Sequence, residues 1–165
     1  MMSDPVSIDK VLSSFTDLWD PRIVARAGGF DIRVAKFHGE YIWHTHSDTD
    51  EVFIVIAGEL TIYLRDGGQE RTVTLGPHDV YVVSRGTEHK PVTTEEAHIL
   101  MMETTGTVTT RDSAQDVPAH IKVTTGKRLS LAFGRDPSWF LKRRQASSWE
   151  CRIQARSTAA SRSMH

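Results

Sequence analysis

Residues 41–58, which read YIWHTHSDTDEVFIVIAG, decide the fold. Their second half is a run of β-branched and aromatic residues that closes on Gly58, which is typical of a buried strand followed by a tight turn. Two histidines separated by one residue, His44 and His46, precede a loop rich in Ser, Asp and Thr. Side chains two positions apart on an extended segment project to the same face. The stretch therefore predicts a β-rich domain that presents two imidazoles on one face.

A period of two continues on both sides of this stretch, from residue 22 to residue 110. Short runs rich in Val, Ile, Tyr and Thr alternate with Gly, Asp and Pro breaks, which predicts an antiparallel, all-β sandwich or barrel. Asp66-Gly67-Gly68 predicts a hairpin turn, because Asp-Gly supplies the positive φ angles that such turns require. We expect a barrel of six to eight strands, drawn from segments near residues 22–26, 30–37, 40–46, 51–57, 59–65, 69–75, 79–83, 89–92 and 97–103.

The two ends of the chain differ from this pattern. Residues 7–19 carry apolar side chains at helical spacing behind Ser7, which predicts a short amphipathic helix that ends at Asp20-Pro21. Weaker signals suggest strands at 119–125 and 128–133, a short helix at 137–145, and then an Arg/Ser/Ala-rich tail that is typical of a mobile segment. We divide the chain into an N-terminal helical segment (1–21), a β-barrel (22–112) and a basic C-terminal extension (113–165).

Charge is distributed unevenly along the 165 residues. The chain has 20 Lys+Arg and 21 Asp+Glu, a formal charge of −1. Residues 1–121 carry 10 basic and 19 acidic side chains (−9), whereas residues 122–165 carry 10 basic and 2 acidic ones (+8). This layout excludes a uniformly basic nucleic-acid binder and a uniformly acidic disordered chain. We expect no nucleic-acid partner.

The cysteine count and the lengths of the apolar runs indicate in which cellular compartment the protein is expected. The single cysteine, Cys151, cannot form an internal disulfide, which favours a reducing environment. The N-terminus lacks a signal-peptide pattern, and the longest apolar run, residues 52–58, is shorter than the roughly 20 residues of a membrane span. We therefore expect a cytoplasmic protein without a membrane partner.

The candidate site combines imidazole and carboxylate groups. His44 and His46 share a face, Glu51 begins the next predicted strand, and a glycine-bearing turn brings His89 to another strand edge. Such a donor set suits iron, manganese, cobalt, nickel, copper or zinc. On an octahedral metal, four protein ligands leave two positions for water, substrate or oxygen, as an open catalytic site requires. The alternative, that these histidines only pack or lie on the surface, is less favoured for four residues than for two.

These residues resemble the two motifs of the cupins, small β-barrels of jelly-roll type. The first motif, G(X)5HXH(X)3–4E(X)6G, matches from His44 to Gly58, with Gly39 one residue closer than the pattern asks. The second, G(X)5PXG(X)2H(X)3N, matches at Gly86 and His89. It departs at three positions, none of them a metal ligand in the family pattern: His78 for Gly, Ser84 for Pro and Thr93 for Asn.

The resemblance covers about residues 6–112. Within the family, the chain is most similar to small single-domain cupins of the mannose-6-phosphate-isomerase-like group. The resemblance implies a double-stranded β-helix barrel, the four metal ligands His44, His46, Glu51 and His89, a small-molecule ligand and a homodimer. Because His78 stands where glycine usually supplies a positive φ, we expect a rebuilt or mildly strained turn there. No activity follows from the resemblance, since one fold hosts many functions.

Two functions therefore stay open. The first is a metal-dependent enzyme acting on a small polar molecule, isomerase-like or dioxygenase-like; the second is a non-catalytic binding or sensing module. An acid or base in the cavity besides the ligands would separate them, and the candidates are His98, Tyr63 and Glu103. We take His98 as the catalytic candidate, with a rim or interface histidine as its alternative. Arg33 is expected either to bind an anionic substrate or to be solvated.

Overall fold

Eight strands and one short helix follow one another along residues 4–110 and 117–129, the part of the chain that the computed structural model describes. They are α1 Ile8–Leu12, β1 Arg22–Ala27, β2 Phe30–Glu40, β3 Glu51–Ala57, β4 Leu60–Asp66, β5 Gln69–Leu75, β6 Val80–Val83, β7 Glu88–Thr104 and β8 Lys127–Arg128. The predicted all-β barrel is confirmed. None of the helical structure in these ranges has the length and apolarity of a membrane span.

Strand β7 organises the sheet. Its 17 residues pair antiparallel with β2, β3 and β4, while β5 adds to β4, β6 to β3 and β1 to β2. The two strands expected at 89–92 and 97–103 are therefore one strand. Glu95 and Glu96, in the gap between the two predicted segments, are exposed at a register shift of the β2–β7 ladder, but the strand continues through them.

The strand expected at 40–46 is absent from the structure. Strand β2 runs on to Glu40, and beyond it Tyr41 N donates to Pro91 O and His44 exchanges both backbone hydrogen bonds with His89. Between these two pairs, residues 42 and 43 oppose the single residue 90, so the ladder loses its regular register, as at a β-bulge. This irregular segment nevertheless holds His44 against β7.

Helix α1 is shorter than expected. Ser7 caps it through Lys10 N, and the hydroxyl groups of Ser13 and Ser14 donate to the carbonyls of Asp9 and Val11. Such local hydrogen bonds compete with helix continuation, so the helix ends at Leu12 although the apolar spacing runs on. The chain then reaches the barrel, where Trp19 N donates to Lys36 O.

Apolar side chains form two clusters. One fills the barrel with inward residues of β2, β3, β4 and β7, and the other packs α1 against the outer face of β2 at Val34. The barrel cluster also includes Ile121, with Val117 at its margin. Residues 117–129 thus lie against the barrel, and β8 pairs with β1 in parallel.

The region expected as a strand at 119–125 forms turns and irregular backbone instead. The helix expected at 137–145 and the tail lie outside the described residues, as does most of 128–133.

Two motif positions have the backbone that the family pattern requires. His78 adopts a φ of 73°, the left-handed region that glycine usually occupies there, and its N–H donates to Val55 O at 2.8 Å. Gly58 has a φ of 82° between β3 and β4. A Cβ at Gly58 would lie 2.8 Å from the Cα of Ala97, so β7 passes directly over this turn.

Gly58→Ala is expected to lower the free energy of unfolding by about 3 kcal/mol, because it adds a backbone clash to a left-handed residue. Gly67→Ala is the matched control: Gly67 has a φ of 54° with nothing within 4 Å of an added Cβ. Its cost is expected to be about 1 kcal/mol. Urea unfolding of both variants measures the difference, and equal costs would contradict the close approach of β7.

Candidate metal centre

Four buried side chains converge inside the barrel. His44 and His46 lie on the irregular segment after β2, Glu51 is the first residue of β3, and His89 is the second residue of β7. Their exposed fractions range from 0% to 4%. One potential ligand atom from each lies within 4.8 Å of all the others. The structure therefore brings together all four residues that the sequence singles out.

Backbone carbonyls orient two of the imidazoles. The Nδ1 of His44 lies 3.0 Å from Ile42 O, and the Nδ1 of His89 lies 3.0 Å from Thr87 O. A carbonyl oxygen only accepts, so each Nδ1–H must be the donor. In a neutral ring the lone pair then lies on Nε2, which is the arrangement that metal-binding histidines use. The Nε2 of His89 lies 2.9 Å from Oε2 of Glu51, so either a proton on Nε2 or a metal ion must join the two atoms.

His46 supplies the clearest fit to a metal ion. Among the described residues, neither of its ring nitrogens has a hydrogen-bond partner, although the side chain is 2% exposed. Its Nε2 lies 3.3 Å from Oε2 of Glu51, outside hydrogen-bond geometry. A buried polar atom without a partner is costly, and native structures rarely keep one without a reason. A metal ion ligated by His46 and Glu51 would satisfy one of the two ring nitrogens.

The protonation states favour ligation. Burial, followed by the neighbouring His89, lowers the pKa of His44 to about 3, which keeps its imidazole neutral. Burial opposes ionisation of Glu51, but the imidazoles of His46 and His89 outweigh it and hold the pKa of this carboxyl well below its usual range. Neutral imidazole and ionised carboxylate are the forms that bind metal.

A second carboxyl group lies beside the cluster. Glu103, on β7, is 1% exposed; its Oε2 lies 2.6 Å from Nη1 of Arg33, and its Oε1 lies 3.9 Å from Nε2 of His46. Burial and the charge of Glu51 raise the pKa of Glu103 well above its usual range. The carboxyl of Glu103 therefore holds a proton more readily than that of Glu51.

Arg33 is fully buried, so the expectation that it is solvated or binds an anionic substrate is wrong. Its Nη2 donates to Thr107 O at 3.0 Å and lies 3.5 Å from Oδ2 of Asp31. The other oxygen of that carboxylate, Oδ1, accepts from Nε of Arg26 at 2.6 Å. A chain of ion-paired side chains, Arg26, Asp31 and Arg33, thus runs from the surface to Glu103; we call it the buried ionic chain. Strand periodicity could have revealed it, because positions 31 and 33 share the inward face of β2 with Phe37.

The other acid–base candidates lie outside the cluster. His98 alternates with the buried Ala97 and Ile99 on β7, so its half-buried side chain is on the outer face, where Nε2 lies 2.9 Å from Oε1 of Glu96. Tyr63 is exposed on the outer face of β4. Of the three candidates, only Glu103 lines the cavity.

A small cavity opens beside the cluster. Trp19 and Tyr41 form part of its wall, together with side chains from β2, β3 and β7. Trp19 gave no sequence signal for a place in this wall, because its spacing put it at the end of the predicted helix. The lining residues in the described part of the chain are Trp19, Pro21, Phe37, Tyr41, His44, Glu51, Phe53, Pro91, Met101, Glu103 and Thr109.

Comparison with known proteins agrees with this architecture. A family model described as "Cupin domain" matches residues 33–103. The uncharacterized protein YdbB of Bacillus subtilis (strain 168) is 44% identical over 59 residues, which are 36% of this chain and 50% of that protein. The chain therefore matches only half the length of this curated relative.

Two solved structures extend the likeness. A cupin-2 domain containing protein from Shewanella frigidimarina NCIMB 400 is 38% identical, with 60% of this chain and 93% of that chain covered and a TM-score of 0.56. Protein NMB1881 from Neisseria meningitidis is 25% identical, with 60% and 97% covered and a TM-score of 0.54. Because the match spans nearly the whole of a cupin-2 protein at 38% identity, this chain belongs to the cupin family.

Proposed function

We propose that this cupin is a metal-dependent enzyme that acts on a small molecule, with His44, His46, Glu51 and His89 as the ligands of one divalent transition metal. The convergence of their four buried donor atoms within 4.8 Å carries the proposal. The donor set suits iron, manganese, nickel, zinc, cobalt or copper. The resemblance to mannose-6-phosphate-isomerase-like cupins, the homodimer and the cytoplasmic location stay predictions.

The residues around the ligands prepare the site. The carbonyls of Ile42 and Thr87 hold the rings of His44 and His89 with Nε2 free. Such outer partners fix both the tautomer and the orientation of a ligand. A metal bound there would act as a Lewis acid toward an oxygen of the substrate.

Glu103 favours an enzyme over a binding module. Arg33 engages Oε2 of Glu103, so Oε1 is the oxygen left to hold a proton or to accept one near a bound molecule. Burying a carboxyl group that does not ligate is costly unless it is paired, and this chain provides a buried arginine for the pairing. A module that only binds would not need this arrangement.

A turnover assay with a matched variant tests the proposal. Metal-loaded wild-type protein and Glu103→Gln are incubated with a panel of phenols, enolisable ketones and sugars, and conversion is followed by NMR. We expect a wild-type product and a loss of roughly 100-fold in Glu103→Gln, a usual contribution of a positioned acid or base. Metal content, measured in parallel, should be equal. Binding of panel members by metal-loaded wild-type protein without any conversion would support the binding module instead.

A further inference from the structure

We infer that the molecule bound in this cavity is small, planar and uncharged, with an oxygen at one edge, the class to which simple phenols belong. The inference rests on the proposed function in one respect, that the ligand cluster marks the end of the cavity where this oxygen lies.

The lining is mostly apolar. Seven of its eleven residues in the described part of the chain are apolar or aromatic, and the enclosed space is small. A cavity of this size and surface favours a compact molecule that buries carbon rather than hydroxyl groups.

Aromatic rings give the wall a rigid, flat character. Trp19 stacks on Phe37 with centroids 4.1 Å apart and lies 4.9 Å from the ring of Tyr41. Its Nε1 donates to His38 O and its backbone N–H donates to Lys36 O, both at 2.9 Å. Hydrogen bonds therefore hold both the indole ring and the backbone of Trp19 in place. Trp19 also holds a φ of 54°, an uncommon conformation for a bulky residue. Aromatic walls of this kind favour flat ligands.

Hydrogen-bonding groups are few and lie mainly at one end. His44, Glu51 and Glu103 provide the polar end of the lining. Elsewhere the hydroxyl of Tyr41 already donates to Thr109 O at 3.2 Å, and the hydroxyl of Thr109 donates to Lys122 O at 2.9 Å. A sugar would bring several hydroxyl groups into a wall that cannot pair them, which is unfavourable.

Charge disfavours an anionic ligand. None of the lining residues that the structure describes is lysine or arginine, and two of them are carboxylic acids. The buried guanidinium of Arg33 is already engaged by Glu103, Thr107 O and Asp31. A phosphate or carboxylate group would have no Arg or Lys clamp in the described lining, and a metal ion at the cluster would have to offset its charge beside the two carboxylic acids.

Calorimetric titration of the zinc-loaded full chain tests the inference with three probes: 4-methylphenol, benzoate and mannose 6-phosphate. We expect 4-methylphenol to bind at least about tenfold more tightly than either anion. Trp19→Ala should weaken phenol binding by about tenfold, and Trp19→Phe should retain most of it. Trp43→Ala is the matched control, since that ring lies 3.8 Å from the Arg65 guanidinium and does not line the cavity.

Zinc content and circular dichroism of every variant separate the two claims. Zinc uptake with tighter binding of mannose 6-phosphate, or with unchanged phenol affinity in folded Trp19→Ala, would overturn the ligand class alone. Phenol binding by wild-type protein that takes up none of iron, manganese, nickel and zinc would overturn the proposed function and leave the ligand class standing. Absence of both metal uptake and phenol binding would overturn both.

Discussion

Arg33→Ala is expected to lower the free energy of unfolding by about 3–5 kcal/mol, the usual cost of removing one partner of a buried ion pair. The side chain is fully buried, and its guanidinium is the donor to Glu103 Oε2 and Thr107 O. Without it, these acceptors and the carboxylate of Asp31 would face a cavity inside the barrel. Urea unfolding followed by circular dichroism measures the loss.

Two comparisons make this prediction specific. Arg65 pairs with Glu70 at 2.7 Å, but both side chains are exposed, so Arg65→Ala is expected to cost less than about 1 kcal/mol. The double variant Arg33→Met/Glu103→Met removes both members of the buried pair and should be more stable than Arg33→Ala. A cost for Arg33→Ala as small as that of Arg65→Ala would contradict the buried ionic chain.

His44→Ala and His89→Ala are each expected to reduce metal affinity by at least roughly 100-fold. Loss of an outer hydrogen-bond partner of a ligand already costs about 10–100-fold, so loss of the ligand itself should cost more. Competition with a chromophoric chelator measures the affinity. Metal should also raise the thermal midpoint of wild-type protein, because binding to the folded state alone stabilises it, and this rise should vanish in both variants.

His98→Ala serves as the control for these variants. Its imidazole is on the outer face of β7, paired with Glu96, and should leave metal affinity unchanged. A loss in His98→Ala equal to that in His44→Ala would contradict the assignment of the ligands, as would retention of full affinity by His89→Ala.

Local pattern was sufficient to predict which four side chains converge. His44 and His46 are two residues apart and both are buried, although the segment that carries them is irregular, and Glu51 begins a strand whose alternation is regular. Glu103 could be found in the same way, because it is an even number of residues from His89 on one continuous strand. The expected break near Glu95 and Glu96 hid that relation.

The cavity wall could not be predicted from local pattern. Trp19 has helical spacing with its neighbours, yet serine hydroxyls end the helix early and tertiary hydrogen bonds hold the indole in a left-handed backbone. Lys122 and Lys127 donate to the buried carboxylate of Asp20, contacts between segments about 100 residues apart. Such long-range pairing leaves no periodic signal in the chain.

The central claim, that His44, His46, Glu51 and His89 hold one metal ion, is tested most directly by metal stoichiometry. Wild-type protein purified without added metal is analysed for its elements, then incubated with iron, manganese, nickel and zinc salts, and analysed again after desalting. We expect close to one metal ion per chain for at least one of these metals, and much less in His44→Ala and His89→Ala. Wild-type protein that stays metal-free with every salt would contradict the claim.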